Sequence, residues 1–194
     1  RSMGCFQGIF QRAKPLDENK QRPDGEFLFY TCANRKFFEF AILFPLFATL
    51  TNPEAIIEVG VDEAPIFRRR FQSLIDLYDE LFPGRVIFTR TPYGECMPGS
   101  VRFLTQPFST AKYIYITDAD IITLDTNVME QHLKNIETHS LDYSNKIRPQ
   151  DKEKLTGLHF IEYDKMYPMD WDLIKDIDIT AYNDEKLLYR IMQG

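Results

Sequence analysis

Four apolar, β-favouring runs constrain the fold of this chain most: Phe27–Cys32, Ile56–Val61, Arg85–Arg90 and Tyr113–Thr117. Each is continuous rather than alternating, the pattern of a strand buried on both faces, which is typical of parallel sheets. Helical patterns fill the gaps. Lys36 to Leu50 reads as a helix interrupted near Pro45, Pro65 to Phe82 as a long amphipathic helix, and Ser100 to Thr110 as a short one. On the long helix Phe67, Phe71, Leu74, Ile75, Tyr78, Leu81 and Phe82 follow helical spacing, and Pro83-Gly84 stops it. The order strand, helix, strand, helix, strand, helix, strand leaves connections long enough for right-handed parallel crossovers. The fold class expected is therefore α/β, Rossmann-like, with a mostly parallel central sheet flanked by helices.

The fourth run ends in chemistry. Tyr113–Thr117 leads directly into Asp118 and Asp120, and the chain turns apolar again at Ile121-Ile122. Many α/β enzymes hold ligands just beyond the carboxyl edge of the sheet. At i and i+2 of an extended chain two side chains share a face, with α-carbons about 7 Å apart. Carboxylates brought to about 4 Å repel by roughly 4 kcal/mol at an effective dielectric of about 20. A divalent cation would turn that repulsion into a binding site. Spacing alone does not single this pair out, because Asp170-Trp-Asp172 and Asp176-Ile-Asp178 repeat it, but neither follows an apolar strand.

The rest of the chain reads as follows. Residues 1–26 form an amino-terminal arm or loop, in which Phe6–Phe10 could pack, ahead of one domain over 27–194. Asp125 caps a helix through about His139, and Leu141 to Lys154 is a polar loop. Leu155–Tyr163 is a further strand, with Gly157 where a backbone must come close to something. Asp184 caps a last helix carrying Leu187, Leu188 and Ile191. His132 and His139 are solvated on their helix, His159 is a core, edge or site residue, and Arg68-Arg69-Arg70 is a solvated helix face.

Apolar residues make up 44% of the 194, aromatic ones 14%, so the chain is globular. A net charge of −6 speaks against nucleic acid or an anionic membrane as a partner for the whole surface. Cys5, Cys32 and Cys96 are widely spaced, without C-x-x-C, and read as reduced thiols. No apolar run reaches membrane-spanning length, and no secretory signal is visible. The expected location is the cytoplasm, or the Golgi lumen if this is a piece of a longer chain. Walker, G-x-G-x-x-G, G-x-S-x-G and H-E-x-x-H patterns are all absent from the sequence.

The succession of strands closing on D-x-D resembles the GT-A fold of nucleotide-sugar glycosyltransferases. Further segments are similar to glycosyltransferase family 8, the glycogenin and bacterial lipopolysaccharide galactosyltransferase group. Phe29–Phe38 resembles the family's nucleoside-holding strand and turn, with Ala33-Asn34 and Phe37 or Phe38 standing in for its Ala-Asp and Tyr. Val101-Arg102-Phe-Leu104 resembles the helix whose arginine reaches the donor. Thr156-Gly157-Leu158 resembles the family's Asn-x-Gly strand, and Asn183-Asp184-Glu185 stands where it carries Asp-Gln-Asp. The closing histidine-glycine-lysine segment, with its third metal ligand, has no counterpart up to Gly194. Either the sequence is truncated or another residue completes the metal shell.

The resemblance implies a metal-dependent, retaining transfer of a hexose from a nucleoside-diphosphate sugar, a UDP-sugar, to a glycan or other hydroxyl acceptor. It implies Mn²⁺ or Mg²⁺ on Asp120 and Asp118, with Ala119 between them in the donor-binding set. Asp118 could also bind ribose. Ala33 and Asn34 would contact the nucleoside, unless they form a plain turn. Arg102 would reach the donor sugar or hold Asp118, unless it is a surface arginine. Asp184 would lie near the reacting carbon, unless it is only a helix cap. Two rivals remain: a non-catalytic nucleotide-sugar-binding relative, and a haloacid dehalogenase-type phosphatase. The latter expects its D-x-D at the first strand and Gly-Thr or Gly-Ser after it.

Overall fold

Strand β2 (Asp24–Ala33) carries the apolar run Phe27–Cys32 through the middle of a seven-stranded sheet. The computed structural model describes residues 11–148 and 150–193, so the Phe6–Phe10 segment lies outside the described residues. Leu28, Tyr30 and Cys32 enter one core and Phe29 and Ala33 the other, as the period-two alternation of a strand requires. β3 (Ile56–Val61) and β4 (Val86–Arg90) extend the sheet in parallel on one side of β2, and β5 (Thr110–Ile116) pairs parallel on its other side. The strand β1 (Lys14–Pro15), within the expected arm, adds antiparallel to β4 at the edge.

Helix α1 (Phe38–Thr51) follows β2 after a 3₁₀ turn at Arg35–Phe37. It runs through Pro45 without the expected interruption. Burial of Phe38, Ala41, Ile42, Phe44 and Ala48 offsets the roughly 3 kcal/mol that an interior proline costs. Helix α2 (Ala64–Leu81) buries Phe67, Ile75 and Tyr78. Leu74 and Leu81, expected on the same face, are 43% and 56% exposed. The non-helical Phe71 (φ −123°) puts the two halves of α2 out of phase, so a single 3.6-residue stripe does not describe both. The short helix α3 is Val101–Leu104 rather than Ser100–Thr110; Thr105 is already extended, two residues before Pro107.

Beyond β5 the chain departs more from expectation. Helix α4 (Val128–His139) starts three residues after Asp125, whose carboxylate instead accepts from the Asn127 N–H (2.8 Å). The polar stretch expected to be a loop contains three short strands, β6 (Tyr143–Ser144), β7 (Ile147–Arg148) and β8 (Asp151–Leu155). The expected strand Leu155–Tyr163 is broken by the Thr156–Leu158 turn, after which β9 (His159–Glu162) begins. β9 lies antiparallel to β5 and carries β6 at its outer edge, while β7 and β8 pair separately. Helix α5 (Tyr163–Met166) and the last helix α6 (Asp184–Ile191) cover the Leu28/Tyr30 face of the sheet.

Among the described residues one carboxyl group is wholly inside. Glu58, in the interior of β3, accepts hydrogen bonds from the main-chain N–H groups of Phe108 (2.8 Å) and Ser109 (2.7 Å) and from the Thr89 hydroxyl (3.2 Å). Burial raises its pKa, and the hydrogen bonds hold part of that rise back. Glu58 thereby ties the segment leading into β5 to the middle of the sheet.

Candidate active site

In the strand order β4-β3-β2-β5, successive parallel strands are added to one side of β2 until β5 crosses to the other. The carboxyl ends of β2 and β5 flank that switch point, where open α/β sheets form a crevice. Here the crevice is a cleft of about 410 Å³, within the usual range for ligand sites. Its walls include Asn34 and Phe37 after β2, Asp118, Ala119 and Asp120 after β5, and Arg102 and Asp184 from the covering helices. Strand β5 stops at Ile116 and the chain turns at Ala119-Asp120, with the Ile121 N–H donating to the Asp118 carbonyl (3.3 Å). The extended i, i+2 geometry expected for the two acids is therefore replaced by a turn, though both still line the cleft.

Arg102 is the hub. All four residues of α3 are buried, and Arg102 is only 4% exposed. Its Nη1 lies 2.8 Å from Asp118 Oδ1 and its Nη2 3.3 Å from Asp184 Oδ2, so the fork spans two carboxylates. The Tyr167 hydroxyl donates to the Arg102 carbonyl and fixes the helix beneath. Arg102 thus holds Asp118, and the surface-arginine reading is excluded. Asp184 does not cap α6. Asn183 does so, its Oδ1 accepting from Glu185 N (3.1 Å) and Lys186 N (3.2 Å), which leaves the Asp184 carboxylate to face Arg102.

Two glycines make this packing possible. A Cβ on Gly157 would stand 2.7 Å from Arg102 Nη2 and 2.8 Å from Asp118 Oδ2. At Gly99 it would stand 2.5 Å from Asp184 Oδ2. Gly157 is the close approach that the sequence suggests. Gly99 carries a weaker signal, a glycine ending the Pro/Gly-rich stretch 91–99 just before Arg102. Gly157→Ala is expected to lower unfolding free energy by about 1–3 kcal/mol in denaturant titrations. No change would mean that the Arg102 end swings aside without cost.

The remaining residues sort as follows. Asn34 caps the 3₁₀ turn, accepting from Lys36 N (3.1 Å). Of the two candidate aromatics, Phe37 lines the cleft and Phe38 is fully buried in the core. Ala33 is buried, with its side chain in the α1-side core and its carbonyl accepting from Asp62 N (3.1 Å). Tyr93, Met97 and Cys32 also line the cleft and had no sequence signal tying them to it. Burial pushes the Cys32 thiol up to about 12, so it stays protonated. Asp170 and Asp178 of the other D-x-D pairs serve local turns, accepting from Asp172 N (2.9 Å) and Thr180 N (3.0 Å). His159 is a core residue, its pKa lowered by burial to about 3, and His132 is not solvated but stacked on Phe160 (ring centroids 5.3 Å). Among the described residues no three His, Cys, Asp or Glu side chains gather as a metal cluster, and no helix is long and apolar enough to cross a membrane.

No protein-family model and no curated protein matches the chain. Solved structures do. The galactosyltransferase LgtC in complex with donor and acceptor sugar analogs superposes with a TM-score of 0.56 at 12% identity, over 84% of this chain and 70% of that one. An active-site mutant of LgtC gives 0.57 at 12% identity, over 84% and 69%. The mannosyltransferase PcManGT from Pyrobaculum calidifontis, solved with GDP-Man and Mn²⁺, reaches only 0.48 at 12% identity, over 87% and 51%. At these identities the likeness speaks for architecture alone. In that architecture the chain is a GT-A-type, Rossmann-like α/β domain whose seven-stranded sheet is flanked by helices, as in these glycosyltransferases.

Proposed function

We propose that this chain is a metal-dependent glycosyltransferase of the family 8 kind, moving a hexose from a UDP-sugar to a hydroxyl of a glycan or other acceptor with retention. The observation that carries the reading is the Asp118–Arg102–Asp184 bridge beside Asp120 at the β2/β5 switch point. Asp118 and Asp120 suit a hard divalent cation such as Mn²⁺ or Mg²⁺. Arg102 already compensates Asp118 through one oxygen, and such ions are commonly held by one or two carboxylates plus substrate phosphates and water. Bound there, the ion would act as a Lewis acid on the leaving diphosphate.

The chain's own residues do the rest. Phe37 offers an aromatic face to the base, and Asn34, at the turn after Ala33, offers polar contacts to the nucleoside. Arg102 keeps Asp118 and Asp184 at fixed separation and adds positive charge near the diphosphate. Asp184 presents a carboxylate to the positive charge that grows on the sugar as the bond breaks.

Calorimetric titration with UDP-sugars, with and without Mn²⁺, tests this. Asp120→Asn is expected to weaken metal-dependent donor binding at least tenfold. Failure of every donor to bind, with Asp120→Asn changing nothing, would sink the proposal. Binding without any transfer would point to the non-catalytic relative, and phosphate release from simple phosphoesters to a phosphatase.

A further inference from the structure

The turn that closes over Arg102 is held largely by one side chain, 11 residues upstream of Thr156, with the Lys146 carbonyl also accepting from Thr156 N (3.2 Å). Asn145, between β6 and β7, accepts at Oδ1 from Thr156 N (3.0 Å) and Thr156 Oγ1 (2.7 Å), and from the adjacent Lys146 N. Its Nδ2 donates to the Thr156 carbonyl (3.0 Å) and reaches His159 Nδ1 (3.0 Å). The amide thus engages both main-chain groups of Thr156, its hydroxyl, and the first residue of β9. Burial keeps His159 neutral, and in the tautomer protonated at Nε2 its Nδ1 accepts from the Asn145 amide. The next residue after Thr156 is Gly157, whose α-carbon leaves no room for a methyl group against Arg102 Nη2 and Asp118 Oδ2. A shift of this turn by a few tenths of an ångström would therefore be felt by both charged groups.

We infer that Asn145 is a positioning residue for the proposed transfer reaction. By clamping Thr156 it sets the height of Gly157 over the Arg102–Asp118 pair, and so the separation of Asp118 from Asp184. The inference rests on the glycosyltransferase reading for its kinetic consequence but not for its structural one.

Asn145→Ala is the test, with Ile75→Ala, in α2 and away from the cleft walls, as a control for lost stability. The structural readout is the Arg102 Nε–H resonance, since this nitrogen is buried and has no hydrogen-bond partner among the described residues. In Asn145→Ala that resonance is expected to shift and its exchange with water to quicken, while Ile75→Ala leaves it in place. The kinetic readout is kcat/KM for the donor, expected to fall at least tenfold more in Asn145→Ala than in Ile75→Ala when both are compared at equal loss of melting temperature. An unchanged Arg102 signal, or equal kinetic losses in the two variants, would overturn the inference. If the wild-type protein binds no donor at all, the functional proposal falls, and the Arg102 resonance alone decides the role of Asn145.

Discussion

Replacing Arg102 with methionine is expected to lower turnover in the proposed transfer reaction by about 10²–10³-fold, the usual cost of removing one preorganised charge-stabilising donor. The loss should fall mainly on kcat, because the guanidinium organises two acids rather than merely adding contact area to the bound donor. Stability should change less. Asp118 and Asp184 are 41% and 24% exposed, so both can rehydrate once the cation is gone. A loss of about 1–2 kcal/mol is expected, below the 3–5 kcal/mol typical of a fully buried pair. Arg102→Lys should rescue charge but little activity, since an ammonium cannot span both carboxylates as the planar fork does. Near-normal turnover by the methionine variant, measured with saturating donor and metal, would remove Arg102 from the mechanism.

Glu58→Ala should be the most destabilising single change. It leaves the Phe108 and Ser109 N–H groups without their acceptor and opens a void in the middle of the sheet. Together these are expected to cost about 3–5 kcal/mol and to lower the melting temperature by on the order of 10 °C. Glu58→Gln keeps the shape and should cost less. The two proteins should also differ in pH dependence. Burial raises the folded-state pKa of Glu58 above its unfolded value, so the folded state binds the proton more tightly. Its contribution is present below the ordinary glutamate pKa and is lost as pH climbs through the raised one. Denaturant titrations of the wild type should show that decline as pH rises from the ordinary glutamate pKa through the raised one. In Glu58→Gln the decline should be absent, and a matching slope would contradict the assignment.

The parallel half of the fold could be read from residues because its strands are long, apolar runs whose identity depends on burial on both faces. Of the antiparallel half only β9 could, since it falls within the expected strand Leu155–Tyr163. Asp151-Lys-Glu-Lys-Leu155 is a strand made mostly of charged residues, held by pairing with β7 and packing near α6 rather than by its own pattern. The run from Leu155 to Tyr163 looks uninterrupted, yet the amide of Asn145, 11 residues before Thr156, pulls Thr156 into a turn. Asp118, Asp120, Arg102 and Asp184 were all legible as candidates, and the structure brings them to one cleft. What connects them was only partly legible. Which acid Arg102 would grip, and whether Asp184 or Asn183 would cap α6, depend on contacts across 82 residues of chain.

The pairing of β2 with β5 also bears on how the cleft comes into being. Thr110 lies beside Asp24 across 86 residues, whereas β3 and β4 join β2 and each other through short helical crossovers. Closing so long a loop costs entropy before any contact rewards it, and pairings of this kind tend to be late and slow. A chain emerging from the ribosome could assemble β2, β3 and β4 with the far edge of β2 still bare, ready to pair with another molecule. The docking of β5 covers that edge and, in the same event, brings Asp118 to Arg102. Covering of the bare edge and assembly of the acids around Arg102 are thus one event, and whatever hastens arrival of β5 during synthesis serves both.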